Sequence, residues 1–151
     1  PEHVDNEFKL KIILYDALST CSGDINKINN LLKYGIYFMI SAAGLTDAND
    51  EIRSNYNSCL QQIPIQQILP CTDSPWKTPQ NLSDTYLRTL RNEPANISAV
   101  IDAIILGLPQ EKVLIGREEI NQVLFNNCLK VFHIPQLEVE NSTNINLKDN
   151  L

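Results

Sequence analysis

Histidine is nearly missing from this chain. Two occur, His3 and His133, both in terminal segments. General-base catalysis and metal ligation lean on imidazole, so Ser-His and Cys-His mechanisms are excluded, and neither a metal nor a cofactor is expected. Positive charge is also short. Twelve Lys and Arg stand against 18 Asp and Glu, for a formal net charge of −6. No basic cluster interrupts that deficit, and nucleic acid or an anionic membrane would require one. Nucleic-acid partners are therefore not expected. Glycine is limited to five residues, and neither GxGxxG nor GxxxxGK[ST] occurs, so phosphate-cradling loops are absent. No run of 18 apolar residues exists, which excludes membrane insertion through a helix. The chain opens at Pro1 without an apolar h-region, so a signal peptide is expected to have been removed already.

What is present suits one folded domain. The chain has 151 residues, of which 43% are hydrophobic, enough to bury a core. The most apolar stretch is Ala95–Leu108, where only Asn96, Ser98, Asp102 and Gly107 interrupt Ala, Val, Ile and Leu. Pro94 precedes it, and Gly107 and Pro109 end it, the usual punctuation of a helix. At about 21 Å it is too short for a bilayer of about 30 Å. It reads as the central rod of a helical bundle. Asp102, its one charge, is expected either on an exposed strip or paired with a nearby Lys or Arg, the alternative being a polar anchor for a ligand in the bundle interior.

The other helices follow from spacing. Phe8, Ile12, Tyr15 and Leu18 mark one from about Asp5 to Thr20. A second runs from about Asp24 to Ala43, with Gly35 taken as a close-packing position and Gly44 as its C-cap. A third covers Asp47–Gln61, with Asp47, Asp50 and Glu51 at the dipole's positive end. That acidic run lacks the turn glycine and the bidentate Glu of a calcium loop. A short helix at Asp84–Asn92 and a last one at Arg117–Phe132 complete the set. Residues 62–82 hold four of the eight prolines and the only tryptophan, Trp76. They read as a long Pro-rich loop, either a strap pinned by Cys71 and Trp76 or the rim of a site.

Four cysteines, Cys21, Cys59, Cys71 and Cys128, show no CxxC spacing. Two disulfides are expected, with Cys21–Cys59 and Cys71–Cys128 as the preferred pairing. Three sequons begin at Asn81, Asn96 and Asn141. Together these features imply a secreted, extracellular glycoprotein. The fold expected is an all-α, disulfide-stapled bundle of five to six helices over residues 1–132, with a polar tail at 133–151.

The function expected from this set is binding and not catalysis. Tyr34, Tyr37, Phe38, Ile101, Ile105 and Phe125 would line an apolar cavity with a few hydroxyls, the usual build of a small-molecule site. The chain would then carry a small apolar ligand. The alternative is a secreted interaction module, effector-like or cytokine-like, with a solid core and a protein partner.

Overall fold

The computed structural model describes residues 12–135. In chain order the elements are β1 (Ile13–Leu14), α1 (Ala17–Thr20), α2 (Ile25–Leu32), β2 (Tyr37–Ile40), α3 (Asp50–Gln62), β3 (Ile68–Pro70), α4 (Ile97–Gly107), α5 (Gln110–Val113) and α6 (Arg117–Phe132). Short 3-10 turns lie at Ile65–Gln67, Leu87–Thr89 and Pro94–Asn96. The three strands form one parallel sheet in the order β1-β2-β3. Ile13 pairs with Tyr37, and Phe38 pairs with Ile68.

An all-α bundle is therefore wrong, and Gly35 is where the reading departs. Asp24 caps α2 by accepting from the Asn26 amide at 2.9 Å. The helix stops at Leu32, because Gly35 takes a φ of +63° and turns the chain. A Cβ there would meet nothing within 4 Å, so conformation and not close packing calls for glycine. The apolar run after it extends as β2, with Phe38 and Ile40 fully buried. Parallel strands are covered on both faces and need no polar alternation. Residues 33–43, expected as helix, thus carry the central strand. The first expected helix also fails within the described residues, where Ile13–Leu14 is a strand and only Ala17–Thr20 is helical. Its start lies outside them.

Gly44 is not a C-cap but a contact. A Cβ at this position would fall 1.5 Å from Cδ2 of Tyr56. Gly44→Ala is expected to cost about 1–3 kcal/mol through overpacking, read as a lowered midpoint in thermal unfolding.

The core joins Phe38, Ile40 and Ile68 of the sheet to Leu60 of α3, Val100 and Ile104 of α4, and Ile120 and Leu124 of α6. Buried Asn127 fastens α6 to the start of β3, donating to the carbonyls of Ile65 and Ile68 at 2.8 Å each. Lys112 donates to the carbonyls of Gln61 and Ile63 at the end of α3, where the helix dipole favours a cation. The expected rod is α4, but protein does not surround it. Leu106 is 88% exposed, and Asp102 lies on the outer strip, paired with Arg117.

The disulfide staples are absent. Cys21, Cys59, Cys71 and Cys128 are all free thiols. Burial raises the pKa of each, and Cys21 lies close enough to Cys59 to add to its rise. Such thiols are poor nucleophiles at neutral pH. The glycoprotein expectation also loses its support. The Asn81 side-chain nitrogen donates to the Ala99 carbonyl at 2.8 Å, and that of Asn96 donates to Asn92 Oδ1 at 2.9 Å. A glycan would attach through those nitrogens. Asn141 lies outside the described residues.

Candidate active site

Three parallel strands end on one edge of the sheet, and in such sheets functional groups gather beyond the carboxyl ends. Tyr15 and Asp16 follow β1, Ser41 follows β2, and Cys71 to Lys77 follow β3. These three segments converge. The Tyr15 hydroxyl donates to Asp73 Oδ1. The Lys77 ammonium donates to Asp16 Oδ2 and lies 3.2 Å from Asp73 Oδ2. Ser41 Oγ donates to Asp16 Oδ1 at 3.4 Å. Asp73 is 7% exposed and Lys77 stands at the mouth. Two buried or half-buried carboxylates thus face one ammonium and one phenol.

The backbone is shaped to present these groups. Asp16, Asp73 and Lys77 take φ values of 44°, 58° and 49°. Non-glycine residues rarely adopt that left-handed region, and such residues cluster at functional sites. The loop after β3 is clasped from behind by Asn92, which is buried. Its side-chain nitrogen donates to the carbonyls of Thr72 at 2.6 Å and Trp76 at 2.7 Å. Ser74 Oγ donates to the Asn92 carbonyl at 3.0 Å. Trp76 is 69% exposed, so its ring does not pin the loop, which is held instead by backbone hydrogen bonds such as that from the Trp76 N–H to the Asp73 carbonyl at 2.9 Å. The alternative reading of residues 62–82, as the rim of a site, describes the part after Pro70. The part before it holds β3.

The hydrogen bond to the Asp73 carboxylate, then burial and the same residue's charge, push Tyr15 up to about 12. At Lys77 burial works against the ammonium, but the hydrogen bonds and charges of Asp16 and then Asp73 outweigh it and hold Lys77 above its ordinary value. Both shifts are upward, so folding favours the neutral phenol and the charged ammonium. Their contribution to stability is complete below the unfolded values, about 10 for Tyr and about 10.4 for Lys. It is lost as pH rises through the folded values, which for Tyr15 is about 12. Subtracting the tyrosinate absorbance of Tyr15→Phe from that of the wild type is expected to leave a titration centred near 12. A midpoint near the ordinary value would contradict the Tyr15–Asp73 bond.

Metal ligands are scarce at this edge. Among the described residues no group of three or more His, Cys, Asp or Glu could hold an ion. His133 caps the end of α6 and is exposed. Within the described residues the donor set at this edge, two carboxylates already paired with an ammonium and a phenol, does not fit a protein-held metal centre.

The residues expected to line a ligand cavity differ widely in exposure. Phe38 is fully buried in β2, whereas Tyr34 is 74% exposed and Phe125 is 57% exposed. Tyr37, Ile101 and Ile105 are half-buried. A groove of about 330 Å³ beside β1 is lined by Leu14, Thr20, Cys21, Lys27, Asn30 and Leu31, none of the six. The cluster that does form was missed because its members are far apart in sequence. Tyr15 and Asp73 are separated by 58 positions, Asp16 and Lys77 by 61. The available signal was local: a short apolar run, Ile68–Leu69, followed within a few residues by Asp73 in a Pro-flanked turn.

A family model described as TatD related DNase matches residues 14–133. A comparison with curated proteins gives no match. Among solved structures, the TatD homologue YJJV of Escherichia coli K12 superposes with a TM-score of 0.57 at 18% identity, over 76% of this chain and 39% of that one. A hydrolase TatD family protein of Entamoeba histolytica gives a TM-score of 0.56 at 19% identity, over 79% and 41% respectively. The chain therefore spans about two fifths of the length of these relatives. The likeness is one of fold, a TIM-barrel-like arrangement of parallel strands and helices. The family match overturns the expectations of a secreted carrier or signalling module, of a protein that is no enzyme, and of no nucleic-acid partner. Net charge sums the whole chain and does not describe any one stretch of it. Between Lys77 and Arg91 the charged residues are Lys77, Arg88 and Arg91 against Asp84 alone.

Proposed function

The chain belongs to the TatD-related DNase family, and from that membership we propose that it acts on DNA as a phosphodiester hydrolase, with the strand-end cluster as its reactive centre. Hydrolysis of a phosphodiester needs an activated water, positive charge at the phosphoryl oxygens and a proton donor near the leaving oxygen. Asp73 is the proton acceptor. It is buried and held at the carboxyl edge of β3. Lys77 supplies the positive charge at the mouth, and the Tyr15 phenol is a donor that stays protonated at neutral pH. Asp16 and Ser41 orient Lys77 from the ends of the other two strands. The convergence of Tyr15, Asp16, Asp73 and Lys77 on one sheet edge carries this reading.

The test is single-turnover cleavage of a labelled DNA oligonucleotide. Asp73→Asn keeps the shape and removes the base, and is expected to lower the rate by about 10²- to 10⁴-fold. Cleavage that is absent, or unchanged by Asp73→Asn, overturns the proposal. Trp76, the sole tryptophan, is an exposed neighbour of Lys77 and suits base stacking. Its emission is expected to quench on oligonucleotide binding. Trp76→Ala is expected to weaken binding roughly 5- to 150-fold, the span of one stacked base.

A further inference from the structure

Nucleases commonly hold one or two divalent cations between carboxylates, which clamp the attacking and leaving oxygens. The carboxylates at this sheet edge are arranged differently. All four oxygens of Asp16 and Asp73 already have a partner within the chain. Asp73 Oδ1 accepts from Tyr15, and Asp73 Oδ2 faces the Lys77 ammonium at 3.2 Å. Asp16 Oδ2 accepts from Lys77, and Asp16 Oδ1 accepts from Ser41 at 3.4 Å. Lys77 is partly withdrawn from solvent and bridges both acids, which come from different strands. Three donors and two carboxylates form one closed network with a cation at its centre.

We infer that the Lys77 ammonium is the resident cation of this site, and that it keeps divalent metal ions from the Asp16–Asp73 pair. A hard divalent ion binds through several oxygens at about 2.0–2.6 Å. To reach these oxygens it would have to break the bridge and leave a displaced ammonium a few ångströms away. The tether makes the ammonium hard to compete out, since it does not diffuse away when displaced. Lys77 thus neutralises half of the pair's charge and fixes the distance between the two strand ends. This inference rests on the geometry of the four oxygens and not on the nuclease reading.

The experiment is titration of the chain with Mn²⁺ near neutral pH, followed by isothermal calorimetry and by the loss of free-ion paramagnetic signal. The wild type is expected to show no saturable site. Lys77→Met keeps most of the stem and removes the charge. It is expected to gain one site, tighter by roughly 30-fold or more, the repulsion of a divalent ion by a unit charge about 4 Å away even at the dielectric of water. Asp73→Asn in the Lys77→Met background is expected to abolish that site. Where Lys77→Met does not fold, nitrogen-15 spectra of the wild-type lysines decide. A slowly exchanging Lys77 ammonium signal that is unmoved by excess Mg²⁺ supports the inference. Stoichiometric Mn²⁺ binding by the wild type that Asp73→Asn removes overturns it. So does a folded Lys77→Met that binds no more Mn²⁺ than the wild type. A chain that binds no Mn²⁺ and cleaves no DNA keeps this inference and loses the hydrolase proposal. A chain that binds Mn²⁺ through Asp73 loses the inference whether or not it cleaves.

Discussion

Asn92→Ala is expected to lower stability by about 2–4 kcal/mol and to scatter the strand-end cluster. Asn92 is 2% exposed, and its side-chain nitrogen satisfies the carbonyls of Thr72 and Trp76 at 2.6 and 2.7 Å. Those carbonyls flank Asp73 and adjoin Lys77. Removing this buried donor leaves two part-buried acceptors without it, at about 1–3 kcal/mol each at most. The Asn96 side chain would also lose the oxygen it donates to. Asn92 touches none of Tyr15, Asp16 or Asp73 through the hydrogen bonds of its own side chain, so it acts as a positioning residue. A purely structural role would lower the unfolding midpoint and leave the Tyr15 titration alone. Positioning makes a second demand: in folded Asn92→Ala the Tyr15 value should fall back toward about 10, because Asp73 no longer faces the phenol. Chemical denaturation and the tyrosinate titration, run on the same preparation, separate the two.

The second large effect belongs to the central strand. Phe38→Ala is expected to cost about 3–5 kcal/mol, the range for truncating a buried aromatic. Phe38 is fully buried in β2 and belongs to the core shared by the sheet and helices α3, α4 and α6. If it lined a ligand cavity, truncation would enlarge that cavity at modest cost and increase uptake of a hydrophobic dye into the native state. In a packed sheet core the same change lowers the denaturation midpoint and leaves native dye uptake unchanged. A loss below about 1 kcal/mol would place Phe38 in a site that collapses easily, against the packing described.

These two residues also show how much was legible beforehand. Helix α6 was bounded correctly at Arg117 and Phe132, because its apolar residues recur over four turns. Helix α3 was placed within three residues of its true start; Asp50 and Glu51 lie in its first turn as expected, whereas Asp47 lies before the cap, which is Asn49. Asp102, expected on an exposed strip or beside a basic partner, has both, its partner being Arg117. The strands were not legible. They span two, four and three residues, too few to show alternation, and a sheet covered on both faces suppresses alternation anyway. A short run such as Tyr37–Ile40 fits a buried strand and a buried helix equally well. Apolar composition also misplaced α4, since Leu106 is almost fully exposed despite its surroundings in sequence.

The site was hidden for a different reason. Scarce histidine says nothing about carboxylate, phenol or ammonium groups, and a deficit of positive charge over the whole chain does not describe a surface around Lys77. Tyr15, Asp16, Ser41 and Asp73–Lys77 become neighbours only when three parallel strands place their carboxyl ends side by side. No local spacing encodes that meeting. The parallel topology does, and it depends on Gly35 turning the chain so that β2 can run beside β1.

The most direct test of this account is to map where nucleic acid touches the chain. A short single-stranded DNA oligonucleotide is titrated into isotopically labelled protein, and backbone amide shifts are followed. The account predicts shifts concentrated at Tyr15 and Asp16, at Ser41, and across residues 71–77, with Asn92 moving as the loop responds. Shifts confined to the far side of α4 and α6, around Leu106 and Phe125, or no shifts at all, would contradict it.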